Sequence, residues 1–119
     1  MADRAATKTV ELTHFGRKSG KPFRLTIWFV EMDGDLWIGT RDDRGNWPRN
    51  VAATGRAELD FGSGAEPYAC TAGTPEEVRR FKKAVRSKYP GPGHLIYTLL
   101  AIGKQPCCFR LRPEPRASA

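Results

Sequence analysis

The run from Lys21 to Met32, with the turn behind it, constrains the fold of this chain more than any other feature. Phe23, Leu25, Ile27 and Phe29 fall on one parity, and Arg24, Thr26 and Trp28 fall on the other. Extended chain places alternate side chains on opposite faces, so this spacing predicts one long strand. Asp33-Gly34 follows, a pair suited to the positive φ angles of a two-residue hairpin. Leu36 and Ile38 then carry the alternation through Leu36 to Thr40. A chain that turns back on itself this tightly builds an antiparallel sheet. Further strands are expected at Lys8 to Phe15, around Ala57, Leu59 and Phe61, at Glu66 to Ala72, and at Cys107 to Arg112. The expectation is one domain over residues 1–119, mainly β, a six-stranded antiparallel barrel with peripheral helices. Closure of that kind hides sheet edges from other chains.

Two helices interrupt the strands. Asn46 to Ala53 can start on an asparagine cap, tolerates Pro48 in its first turn and stops at Gly55. Thr74-Pro75-Glu76-Glu77 is a second helix start, with a cap, a proline and two acids on the positive end of the helix dipole. Val78, Phe81, Val85 and Tyr89 follow at spacings of three and four and form one apolar stripe. Pro90-Gly91-Pro92-Gly93 ends it, and His94 to Ile102 reads as a further short helix. Residues 1–7 and 113–119 are expected to fray.

Composition narrows the function. No apolar run approaches the roughly 18 residues of a membrane span, and the first seven residues lack the apolar centre of a signal peptide. A cytoplasmic protein is the resulting expectation. Three cysteines, of which Cys107 and Cys108 are adjacent, make a poor disulfide framework. No CxxC occurs and His14 and His94 stand apart, so no metal site is expected. The net charge of +7 calls for an anionic partner. Arg79, Arg80, Lys82, Lys83, Arg86 and Lys88 read as the solvated face of the second helix. Trp28 and Val30 give the long strand a second apolar face, for which a homodimer would supply cover.

That leaves the segment from Thr13 to Pro22. It holds Arg17, Lys18 and Lys21, two glycines and Ser19 between two strand-like runs. Backbone N–H groups, a hydroxyl and positive charge in one turn suit a phosphate or polyanion. No Ser-His-Asp set and no catalytic carboxylate pair can be assembled, which suits a reaction carried by a cofactor. Tyr68, Tyr97 and His94 are candidate proton donors, although a tyrosine with one polar end also suits a barrel edge.

Glu11 to Arg24, then Ile27-Trp28-Phe29-Val30, Asp33 to Ile38 and Asn46 to Ala53, stand in an order that resembles a known family. The chain is similar to the flavin/deazaflavin oxidoreductases of the split β-barrel superfamily, which includes the pyridoxamine 5′-phosphate oxidases. Its closest branch looks like the deazaflavin-dependent nitroreductases. The resemblance implies an FMN-binding type of split barrel, a homodimer, and either coenzyme F420 or FMN as cofactor. It implies cofactor binding by Arg17, Lys18, Ser19, Gly20, Lys21, Thr40, Trp47 and Asn50. The basic turn would hold a phosphate or the anionic tail of F420, and Trp47 would pack on the ring. The reaction implied is hydride transfer to a small electrophile such as a quinone, nitro compound or enone. The alternative is a binding module without catalysis, using the basic turn for an anionic ligand. Nucleic acid fits less well, because the turn lacks the interleaved aromatic pair of single-strand binders.

Overall fold

The computed structural model describes residues 8–89 and 103–114. Its strands are β1 (Val10–Phe15), β2 (Pro22–Ile27), β3 (Phe29–Met32), β4 (Asp35–Thr40), β5 (Arg56–Asp60), β6 (Ala65–Ala72) and β7 (Cys107–Pro113). Its helices are α1 (Asn46–Thr54) and α2 (Pro75–Lys88). The segment His94 to Ile102, with Tyr97, and the chain ends at 1–7 and 115–119 lie outside the described residues. Pro113, expected in a frayed tail, closes β7 opposite Tyr68.

All seven strands form one antiparallel sheet in the order β2-β1-β5-β6-β7-β4-β3. The expected count was six. The difference is at Trp28, where the Lys21 to Met32 run breaks into β2 and β3. These two strands are consecutive in the chain yet occupy opposite edges of the sheet. A single residue spans the gap between them, so the sheet has to curl until its edges approach. The result is a split barrel, with side chains of both parities buried where the broken run turns inward. Phe29 and Val30, neighbours in sequence, are both buried.

Val10, Leu12, Phe29, Ile38, Leu59, Phe109 and Leu111 fill the barrel, with Val51 of α1 packed against them. A second cluster lies outside the sheet under α2. Trp37 and Val30 meet Phe81, Val85 and Tyr89 there. The cover that Val30 requires is therefore α2 of the same chain. Trp28 remains partly exposed, its ring stacked on Tyr89 at 4.2 Å.

Local signals set both described helices. Thr74 forms a complete capping box with Glu77, the side-chain and backbone bonds measuring 3.2 and 2.8 Å. Gly55 ends α1 in the left-handed region at φ 69°. Asn46 does not cap α1. Gly45 holds that position without a side-chain bond, which leaves Asn46 inside the first turn.

Candidate functional site

The β1–β2 hairpin is closed by the basic turn. Gly16 N–H donates to Lys21 O and Gly20 N–H to Gly16 O, both at 2.9 Å. Gly20 takes φ 71°, where a side chain would be strained. Ser19 Oγ accepts from Lys21 N–H at 3.2 Å, so the hydroxyl proton stays available to a ligand. The turn is thus ordered by its own backbone, and its cations are presented on a defined frame.

Beside it lies a cavity of about 350 Å³ lined by His14, Gly16, Arg17, Lys18, Ser19, Phe23, Asn46 and Asn50. No carboxylate lines it among the described residues. Asn46 and Asn50, four apart on α1, share the face that meets the cavity. Of the residues expected to bind a cofactor, Arg17, Lys18, Ser19 and Asn50 meet here. Gly20 and Lys21 complete the turn without lining the cavity.

Asn50 organises this wall from a buried position. Its Oδ1 accepts from Arg17 N–H at 3.1 Å and from Arg17 Nη1 at 2.8 Å. Its Nδ2 lies 3.0 Å from His14 Nδ1. Arg17 offers only donors, so the amide oxygen must face it and the NH₂ must face the histidine. His14 Nδ1 is then an acceptor, and the neutral ring carries its proton on Nε2. His14 is buried and stacks on Phe23 at 5.4 Å. Burial holds its pKa below the ordinary 6.5. The associated stability is therefore fully present above about pH 6.5 and is lost as pH falls through the lower folded-state value.

Thr40 and Trp47 border a different cleft. It measures about 210 Å³, and Trp28, Trp47, Phe81 and Ile27 provide its apolar wall. Trp47 also packs on Phe109 at 6.0 Å and so ties α1 to the barrel. Thr40 Oγ1 accepts from Asp42 N–H at 3.5 Å. A single helix, α1, contributes Asn50 to the first cavity and Trp47 to the second. The two carboxylates of the loop after β4 line neither. Asp42 accepts from Arg44 N–H at 3.0 Å, and this bond holds its carboxyl below the usual range.

Other candidates fall away from both spaces. Tyr68 is buried in the barrel core. Burial pushes the thiols of Cys70 and Cys108 up to about 12 and that of Cys107 to about 11, so all three stay protonated at neutral pH. No group of three or more metal-ligating side chains occurs among the described residues. No described helix is long and apolar enough to cross a membrane. The sequence reading missed His14, Phe23 and Asn46 as cavity residues. Phe23 read as core by parity, and Asn46 read as a cap. The local signal that could have found His14 is its position two residues before the turn, on the inward parity of Val10 and Leu12.

Comparison with known proteins agrees with this fold. An F420H2-dependent reductase superposes with a TM-score of 0.68 at 22% identity, over 87% of this chain and 93% of that one. A structure described as a domain-swapped dimer gives 0.69 at 22%, over 93% and 82%. A heme storage protein from Vibrio cholerae also gives 0.69, at 15%, over 91% and 82%. At these identities the likeness establishes the split-barrel fold. No curated protein matches the chain by sequence. The profile of the F420H(2)-dependent quinone reductases matches residues 4–97, most of the chain, and the protein belongs to that family.

Proposed function

We propose that this protein binds coenzyme F420 and carries hydride transfer to a small electrophile of the quinone, nitro or enone class. The observation that carries the reading is the cavity at the basic turn. Two cations and a hydroxyl border it, a buried asparagine braces one of those cations, and among the described residues no acid lines it. That donor set fits the phosphate and carboxylate tail of F420. FMN, with one phosphate, would use less of it. Arg17 and Lys18 would hold the tail, each charge-assisted bond contributing about 1.5–3 kcal/mol when partly buried. Trp47, Trp28 and Phe81 give the neighbouring cleft walls that keep water from a flat ring. When bound, F420 would supply the hydride chemistry, and these side chains supply binding, orientation and exclusion of water.

Fluorescence titration with F420 and with FMN tests this directly. F420 is expected to bind at least about tenfold tighter, a difference of about 1.4 kcal/mol. Arg17→Ala with Lys18→Ala should weaken F420 by about tenfold or more, and added salt should weaken it in the same direction. Binding of neither compound, or an unaltered double variant, would favour a binding module for some other anion.

We also infer a homodimer. Support comes from the domain-swapped dimer among the structural neighbours and from the partly exposed Trp28 at the barrel seam. Light scattering at micromolar concentration should return twice the 13.3 kDa chain mass, and a monomer there would remove the inference.

A further inference from the structure

His14, Asn50 and Arg17 form a chain of hydrogen bonds in which each link fixes the next. Arg17 presents two donors to Asn50 Oδ1, at 3.1 and 2.8 Å. That leaves only NH₂ for His14, at 3.0 Å, and NH₂ requires an acceptor. A neutral imidazole meets the requirement and a protonated one cannot, because Nδ1 then carries a hydrogen as well. Turning the Asn50 amide over does not relieve the conflict, since NH₂ would then face both Arg17 donors. Turning the His14 ring over would present Cδ2, which accepts nothing. Both residues are buried, His14 at 5% and Asn50 at 4% exposure, so a hydrogen bond lost between them is costly.

We propose that neutral His14 is a positioning residue that holds Arg17 at the anion cavity through Asn50, and that protonating His14 releases Arg17. The ligand half of this inference rests on the function proposed above, and the protein half does not. Of the described residues that line the cavity with His14, the charged ones are Arg17 and Lys18 of the turn. Phe23 of β2 and Asn46 and Asn50 of α1 complete the cavity wall without charge. With no carboxylate among the described lining residues to stabilise an imidazolium, the ring favours its neutral form, in line with the lowering that burial causes. The site would thus be assembled at neutral pH and loosened in acid.

Simple electrostatics predicts the opposite sign. A proton added beside an anion should tighten binding, whereas loss of the Arg17 brace should weaken it. The tail carboxylates of F420 stay largely ionised above about pH 5, so the ligand itself changes little over this range.

The test has two arms. In ligand-free protein, NMR spectra taken from about pH 8 to about pH 5 span the ordinary titration range of histidine. The Arg17 backbone N–H and the Asn50 side-chain NH₂ should shift with the same midpoint as the His14 ring, below 6.5. An Arg17 signal that stays fixed while His14 titrates would overturn the proposal. The second arm measures F420 affinity over the same range. The parent should lose about tenfold on acidification, the effect of one charge-assisted bond. His14→Asn keeps an acceptor near the Nδ1 position but does not titrate, so it should retain affinity and lose the pH dependence. His14→Phe keeps the ring stack and removes the acceptor, and should bind weakly throughout. Parent affinity that rises in acid, or a His14→Asn profile that follows the parent's, would also overturn the relay. Because the spectra need no ligand, they decide the relay even where F420 fails to bind the parent, a result that counts against the proposed function alone.

Discussion

Trp37→Ala is expected to lower the unfolding free energy by about 3–5 kcal/mol, as deletion of a buried tryptophan does elsewhere. The side chain is fully buried between the sheet and α2, against Val30, Phe81 and Val85. Its Nε1–H donates to Met32 O at 3.0 Å across the β3–β4 hairpin. The alanine variant loses the apolar burial, leaves a cavity under α2, and removes the indole donor from that carbonyl. Neighbouring atoms have little freedom to fill the space. A Cβ built on Gly39 would come within 2.5 Å of the Phe81 ring and 2.7 Å of Cys107 O, so α2 already packs as close to β4 as a glycine permits. For a domain of this size the melting temperature should fall by more than about 10 °C. Thermal denaturation followed by circular dichroism would show this, and an unchanged transition would mean that α2 does not stabilise the sheet. Ion pairs of α2, such as Arg80–Asp33 at 2.7 Å, are half exposed and offset little of the loss.

Asn50→Ala should reduce both stability and F420 affinity. The buried amide is the shared partner of Arg17 and His14. Truncating it leaves His14 Nδ1 and Arg17 N–H without their partner, at about 1–3 kcal/mol for a buried polar group stranded in this way. Affinity should fall about tenfold or more as Arg17 loses its anchor. Asn50→Asp separates the two effects. A carboxylate keeps both Arg17 bonds, and His14 can turn donor towards it, so stability should lie near the parent's. The negative charge beneath the cavity should still oppose an anionic ligand. Denaturation and F420 titration of the pair decide the matter. An aspartate variant that binds like the parent would rule out anion binding at this wall.

Much of the architecture was legible because its causes are local. Period-two alternation and Asp33-Gly34 marked the β3–β4 hairpin, whose central residues take φ 55° and 79°. The Thr74 capping box and the Phe81–Val85–Tyr89 stripe marked α2, and Gly55 marked the end of α1. Each of these features rests on chain sterics or hydrogen bonds within a few residues, which every copy of the segment carries wherever it is placed. The basic turn belongs with them, its hairpin closed by Gly16, Ser19 and Gly20.

Other features arose from surfaces that meet only when the sheet curls. The alternation from Phe23 to Phe29 passes through Trp28 without interruption, yet the two halves go to opposite edges of the barrel. An extended backbone costs the same in either place, and burial of both parities at Phe29 and Val30 is what favours the break. Val30 was assigned a partner chain because its own cover, α2, lies more than forty residues further along. His14 and Asn50 are separated by 36 residues and Arg17 and Asn50 by 33. Nothing near His14 in the chain says what its ring will face. The packing of α1 against β1 brings these groups together with His14 and Asn50 buried, and the need to satisfy every buried donor and acceptor then dictates which atom of the amide faces which neighbour.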